Sequence, residues 1–378
     1  MRAKVLITGG AGFIGVHVAR RLLQSSHQVT ILDNFSPQIH GDVTDLPEDL
    51  RGHVRLIRGD VRDPESWENV LIDCEVVLNL AAETGTGQSM YEVSRYEQVN
   101  LAGTANLYQV LASKPQRTVE KIVVASSRAI YGEGAYQCPN DGLVYPVSRS
   151  TVDKLAGQFD PLCPVCNGAC DSIPTPEQAP FQPSSFYGLT KQVQEQMTLL
   201  FGDTLGIPSF ALRYQNVYGP GQSLKNPYTG ILAVFSNLAR AGSEMNVFED
   251  GLESRDFVYI DDVVQATTAC IESVMDGAHV LNVGSSERTT VLEVATTVNR
   301  FFGEKSKVRV NGAFRQGDIR HGNADVTRAG ALIGFKPNWK FSDGILEFLQ
   351  WAVTFESDKS GYEQSLEEMR IRQLLHGG

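Results

Sequence analysis

Along the first half of the chain, short β-branched apolar runs alternate with stretches whose apolar residues recur at helical spacing. Lys4–Thr8, Gln28–Asp33 and residues 54–59, 75–81 and 121–126 read as strands. Between the first two, Phe13, Val16, Ala19, Leu22 and Leu23 mark one helix face. Asp63 followed by Pro64 reads as a helix start, since an aspartate can cap free amides and proline fits the first turn. Strand and helix in turn predict an α/β fold, a doubly wound parallel (Rossmann) sheet with a smaller C-terminal substrate lobe. The pattern breaks at 132–185, which is rich in proline, lacks periodicity and reads as an insertion. The expected organisation is a dinucleotide-binding core over 1–131, the insertion, a continuation of the core over 186–216 and a region over 217–356 that is mainly substrate lobe. A polar tail follows over 357–378, with only a weak apolar stripe at Leu366, Met369 and Leu374 and no assigned function.

Length and composition suit such a fold: 378 residues, 42% hydrophobic and 20% charged, are enough for a sizeable core and ordinary for a globular chain. A formal charge of −11 argues against general nucleic-acid affinity and for a small partner, with a few arginines holding phosphate locally. The N-terminus lacks the pattern of a signal peptide and no apolar window is long enough to span a membrane, so the expectation is a soluble cytoplasmic protein with reduced cysteines. Of its six cysteines, Cys138, Cys163, Cys166 and Cys170 crowd into the insertion. Cys163-x-x-Cys166 has a zinc-knuckle spacing that Cys138 and Cys170 could complete; free thiols are the alternative.

Between the first strand and helix, Gly10, Gly12 and Gly15 satisfy G-x-G-x-x-G, and Gly9, Gly12 and Gly15 give a related spacing. Glycines there let the backbone turn tightly and bring a pyrophosphate to the positive helix end, beside Phe13 and Ile14. Asp33 ends the second strand where a carboxylate meets ribose hydroxyls and repels a 2′-phosphate, which favours NAD over NADP. Asn34 follows it, and Asp60 with Val61 would meet the adenine edge. Tyr187 and Lys191 lie four apart, on one helix face. A cation about 4 Å from the phenol, at an effective dielectric of about 20, is worth roughly 4 kcal/mol, or about three pKa units below the usual ~10. Ser127, at the end of the fifth strand, could hold a substrate hydroxyl that loses its proton, and Ser126 ranks second.

Thr8 to Gly15, Leu80-Ala81-Ala82, Asn100, Ser126-Ser127, Tyr187-x-x-x-Lys191 and Arg213-Tyr214-Gln215-Asn216 together resemble the extended short-chain dehydrogenase/reductases that act on nucleotide sugars. Within that family the chain is most similar to the 4-epimerases, and residues 81–90 and 214–230 resemble those acting on dTDP-L-rhamnose. The resemblance implies a Ser127, Tyr187 and Lys191 catalytic set, bound NAD contacted also by Leu80, Ala81, Ala82 and Asn100, and a homodimer. It further implies that Arg255 and Arg315 bind the diphosphate, with Thr84 and Asn216 at the sugar or diphosphate and Arg320 a nearby competitor. Related dehydratases and decarboxylases carry acids just after the strand-end serine, whereas this chain has Arg128, itself unexplained, and Ala129. Reversible oxidation at carbon 4 of a nucleotide sugar, a dTDP-6-deoxyhexose by resemblance, is therefore the expected activity. A dehydratase, decarboxylase or reductase of the same family, or a non-catalytic NAD-responsive binding protein, are the alternatives.

Overall fold

The computed structural model describes residues 2–114, 116–224, 226, 228, 230–356 and 360–377. Part of the polar tail, 357–359 and 378, thus lies outside the described residues. Among those described, the largest sheet has seven parallel strands: β1 (Lys4–Thr8), β2 (Gln28–Asp33), β3 (Arg55–Arg58), β4 (Val76–Asn79), β5 (Lys121–Ser127), β6 (Ser209–Tyr214) and β7 (Ala278–Val283). Their spatial order is β7-β6-β5-β4-β1-β2-β3. Crossover helices cover both faces, which is why β4 and β6 are buried at every residue and read as apolar runs without alternation. The order reverses between β1 and β4, so a crevice opens outside their carboxyl ends.

Helix α1 (Phe13–Gln24) buries Val16, Val18, Ala19 and Leu22, largely the face marked by helical spacing. At Asp63 the expected cap is present: its carboxylate accepts from the Glu65 amide at 3.1 Å, with Pro64 as the first helical residue. Helix α2 (Phe186–Leu205) is capped by the Ser185 hydroxyl and ended by Gly206 in the left-handed region. The run at 75–81 is shorter than its apolar pattern suggests, because β4 stops at Asn79 and the next residues leave the sheet to wall the crevice.

The insertion folds into a small antiparallel sheet of Tyr136–Cys138, Gly142–Val144 and Asp171–Ser172 with a short helix at Thr151–Leu155. Its own core is slight: Tyr136, Cys138, Val144 and Cys163. Buried charge ties it to the rest. Arg149 donates to Glu133 at 2.9 Å and Glu249 at 2.7 Å, while Arg320 reaches Asp160 at 2.7 Å, Asp250 at 2.6 Å and Glu249 at 3.0 Å. Arg320, the nearby competitor, is thus tied to three carboxylates and is not among the residues lining the cleft. Of the four clustered cysteines, only Cys138, Cys163 and Cys166 bring their sulfurs together. Cys170 instead donates to the Pro161 carbonyl at 3.4 Å, whereas the hairpin turn brings the Asp141 carboxylate to Cys138 and Cys163.

The tail is not an appendage. Helix α3 (Ser360–Ile371) leads to Leu375–His376, which pairs antiparallel with Phe314–Arg315. Met369 and Leu375 are buried against Phe248 and Ala313, with Leu366 and Leu374 packed beside them, so the weak stripe is a packing face. Among the described residues, no helix is long and apolar enough to cross a membrane.

Candidate functional site

A cleft of about 530 Å³ lies along the carboxyl ends of the strands. At one end the glycine loop leaves β1. Gly9 takes a positive φ of 64°, and a Cβ there would stand 3.0 Å from the Ala81 backbone. At Gly15 a Cβ would meet Gly10 Cα at 2.5 Å, so the loop closes only with glycine on both sides. Gly12, Phe13, Ile14 and Gly15 line the cleft, and the first turn of α1 has neither a side-chain cap nor an acidic residue. Its amides, at the positive helix end, suit an anion of pyrophosphate size. Asp33 is buried: its two oxygens accept from the amides of Ala11 at 3.0 Å and Phe35 at 2.8 Å, which pins the loop to β2 and leaves the carboxylate facing the cleft.

Asn34, Asp60, Val61, Leu80, Ala81, Ala82 and Thr84 continue the wall. Partial burial pushes the Asp60 carboxyl up, but hydrogen bonds from Arg62 and Asn34 outweigh it and bring it down to about 2. Asn100, expected at the cofactor, is not in the wall. Its amide oxygen accepts from Glu83 N at 2.8 Å and its amide nitrogen donates to Glu83 O and Thr190 Oγ1, so it holds the wall from behind.

The three residues of the expected catalytic set all line the cleft. Ser127 ends β5 with its Oγ accepting from the Ala129 amide at 3.2 Å, while Tyr187 opens α2 with its own amide held by Ser89 Oγ at 3.0 Å. Lys191 Nζ donates to the Ala125 carbonyl and to Gln194 Oε1, both at 2.9 Å, and burial brings its pKa down to about 7. Neither of these hydrogen bonds is to the Tyr187 phenol. Burial raises the Tyr187 pKa, and what opposes it is a hydrogen bond with Ser127 and the charge of Arg128. Ser126 turns away to donate to Glu195 at 2.5 Å, and Glu195 in turn receives Arg213 at 2.6 and 3.1 Å.

At the far end, Arg128, Arg255 and Arg315 line the cleft together. Arg128 donates to Asn216 Oδ1 at 2.7 Å, and burial beside Arg255 lowers its pKa to about 10. Arg255 is fixed by the carbonyls of Ser254 and Arg320, and Arg315 by Asp318 at 2.8 Å. Burial pushes the neighbouring Glu253 carboxyl upward, reducing its tendency to cancel that positive charge. The residue that followed Ser127 without explanation is thus a third guanidinium at this end of the cleft. Tyr362, from α3, also lines the cleft; nothing in its local sequence signals this beyond the amphipathic stripe of the tail.

A family model described as "NAD dependent epimerase/dehydratase family" matches residues 5–158 and 166–284. The chain is 40% identical over 351 residues to a dTDP-L-rhamnose 4-epimerase of Burkholderia thailandensis, covering 92% of this chain and 94% of that one. It is 30% identical over 365 residues to a UDP-N-acetyl-alpha-D-glucosaminuronate decarboxylase of Bacillus cytotoxicus, covering 95% and 100%. The fold resembles the Thermus thermophilus UDP-glucose 4-epimerase solved in complex with NAD, with a TM-score of 0.72, 27% identity and coverage of 93% and 99%.

Proposed function

The chain belongs to the NAD dependent epimerase/dehydratase family, and from that premise we propose that it is a nucleotide-sugar 4-epimerase that oxidises its substrate transiently at carbon 4 and reduces it on the opposite face. NAD is the cofactor, and the glycine loop with its uncapped helix end fits it. Held by the glycine loop and Asp33, NAD would supply the hydride acceptor and donor for carbon 4. The protein's own part is proton handling and positioning. Ser127, its oxygen fixed by the Ala129 amide, holds the sugar hydroxyl, and the Tyr187 side chain takes that hydroxyl's proton as the phenolate and gives it back as the phenol. Lys191, tied to Ala125 and Gln194, orients the ribose side of the cofactor site, while Asp33 meets the adenosine ribose. Asp60 and Val61 border the adenine.

The observation that carries an epimerase over a dehydratase or decarboxylase is the placement of the cleft's carboxylates. Among the described residues lining the cleft, Asp33 is held by backbone amides, and Asp60, Glu83, Glu253 and Asp318 each stand against an arginine. None stands beside Ser127 in sequence, where Arg128 and Ala129 follow, to promote loss of water or carbon dioxide. Several nucleotide sugars, dTDP-L-rhamnose first, incubated with the protein in heavy water and read by mass spectrometry and proton NMR, test this. The product should keep the substrate's mass and carry no deuterium at carbon 4. Stoichiometric loss of water or carbon dioxide, or deuterium at carbon 4 from the first turnover, would sink the proposal.

Arg128, Arg255 and Arg315 take the diphosphate, with Asn216 and Thr84 toward the sugar. Replacing one guanidinium that makes charge-assisted hydrogen bonds to phosphate forfeits about 1.5–3 kcal/mol. Arg255→Met should therefore raise KM for the nucleotide sugar about 10- to 100-fold and leave the NAD content of the purified protein unchanged. A KM within about twofold of the parent's would remove Arg255 from the binding site.

A further inference from the structure

Away from the cleft, the ligating atoms of Cys138, Asp141, Cys163 and Cys166 all lie within 4.8 Å of one another. The sulfurs of Cys138 and Cys166 are 3.6 Å apart, and Asp141 Oδ2 lies 3.4 Å from Cys138 Sγ and 3.2 Å from Cys163 Sγ. Zinc–sulfur bonds of about 2.3 Å and zinc–oxygen bonds of about 2.0–2.2 Å at tetrahedral angles separate two sulfurs by about 3.8 Å and a sulfur from an oxygen by about 3.5 Å. These three distances fall within a few tenths of an ångström of those values. A disulfide would instead bring two sulfurs to about 2.05 Å, and all six cysteines are free.

We propose that the insertion binds one structural zinc ion through Cys138, Asp141, Cys163 and Cys166. Three thiolates select zinc over the hard cations, and four protein ligands leave no open position for chemistry. The surroundings suit thiolate ligands: the Val165 amide lies 3.5 Å from Cys163 Sγ and the Asn140 side-chain amide 3.8 Å from Cys166 Sγ, both as donors. Asp141 and Cys166 are exposed, which leaves the metal a way in, whereas Cys138 and Cys163 belong to the insertion's small core. The ion joins the hairpin ends to the Cys163–Cys166 knuckle. Between them lies the segment carrying Arg149 and Asp160, which grip Glu249 and Arg320.

Elemental analysis of the full chain, purified without any metal-affinity step, should find about one zinc per chain. Asp141→Ala and Cys163→Ser should each lower this to below about 0.2, and Cys170→Ser should retain about one. Cobalt(II) added to the chelator-treated intact chain should give thiolate-to-cobalt charge-transfer absorption and the strong visible bands of a tetrahedral site, a readout that stands even where a variant fails to fold. An intact chain with less than about 0.2 zinc and no such cobalt spectrum overturns the proposal. So does a Cys170→Ser variant that loses the metal while Asp141→Ala keeps it.

Discussion

Tyr187→Phe should lower turnover of the nucleotide sugar by about 10²- to 10⁴-fold, the range a positioned general acid–base contributes. The substitution removes one oxygen and keeps the ring that stands edge-on to Tyr96 with centroids 6.4 Å apart. The Tyr187 amide would remain on Ser89, so the start of α2 is untouched. NAD extracted from the denatured variant should accordingly match the parent's content. Steady-state kinetics with the preferred substrate, read beside that content, make the check. A loss below about tenfold with full NAD would show that another group moves the proton.

A second large effect is expected away from the reacting atoms. Glu195, fully buried on α2, accepts both a bidentate pair from Arg213 on β6 and the Ser126 hydroxyl. Glu195→Ala leaves the Arg213 guanidinium, itself 3% exposed, with only the Tyr131 hydroxyl and the Glu177 carbonyl. An uncompensated buried charge costs about 3–5 kcal/mol, so the urea midpoint should fall sharply. Removing both charges in Glu195→Met with Arg213→Met should cost less than the single change, because no buried ion is then left alone. A single variant within about 1 kcal/mol of the parent would show that the pair does little for the fold.

Much of this architecture was legible in the sequence because short-range signals govern it. The strands beside the glycine loop are fixed by apolar runs buried on both faces, and the loop itself by backbone approaches that admit no side chain. Other features depend on partners far along the chain and leave no local trace. Lys191 sits four residues from Tyr187, yet spends its hydrogen bonds on Ala125 and Gln194. Asn100 carried the family motif but its amide is consumed by Glu83 and Thr190. Arg128 acquires meaning only when Asn216 and Arg255 arrive beside it. The cysteine spacing marked the segment in which Cys138, Cys163 and Cys166 come together, but not that a hairpin turn would bring Asp141 to them while Cys170 turns to the Pro161 carbonyl.

The pairing of Leu375–His376 with Phe314–Arg315 has a practical corollary for handling the protein. An affinity tag fused after His376 would begin one strand away from Arg315, at the arginine end of the cleft, where a charged or metal-loaded tag would crowd the guanidinium groups proposed to take the diphosphate. Lys4 starts β1 at the amino ends of the strands, opposite the carboxyl ends along which the cleft lies. Immobilisation or labelling through the N-terminal side therefore leaves the substrate entrance undisturbed.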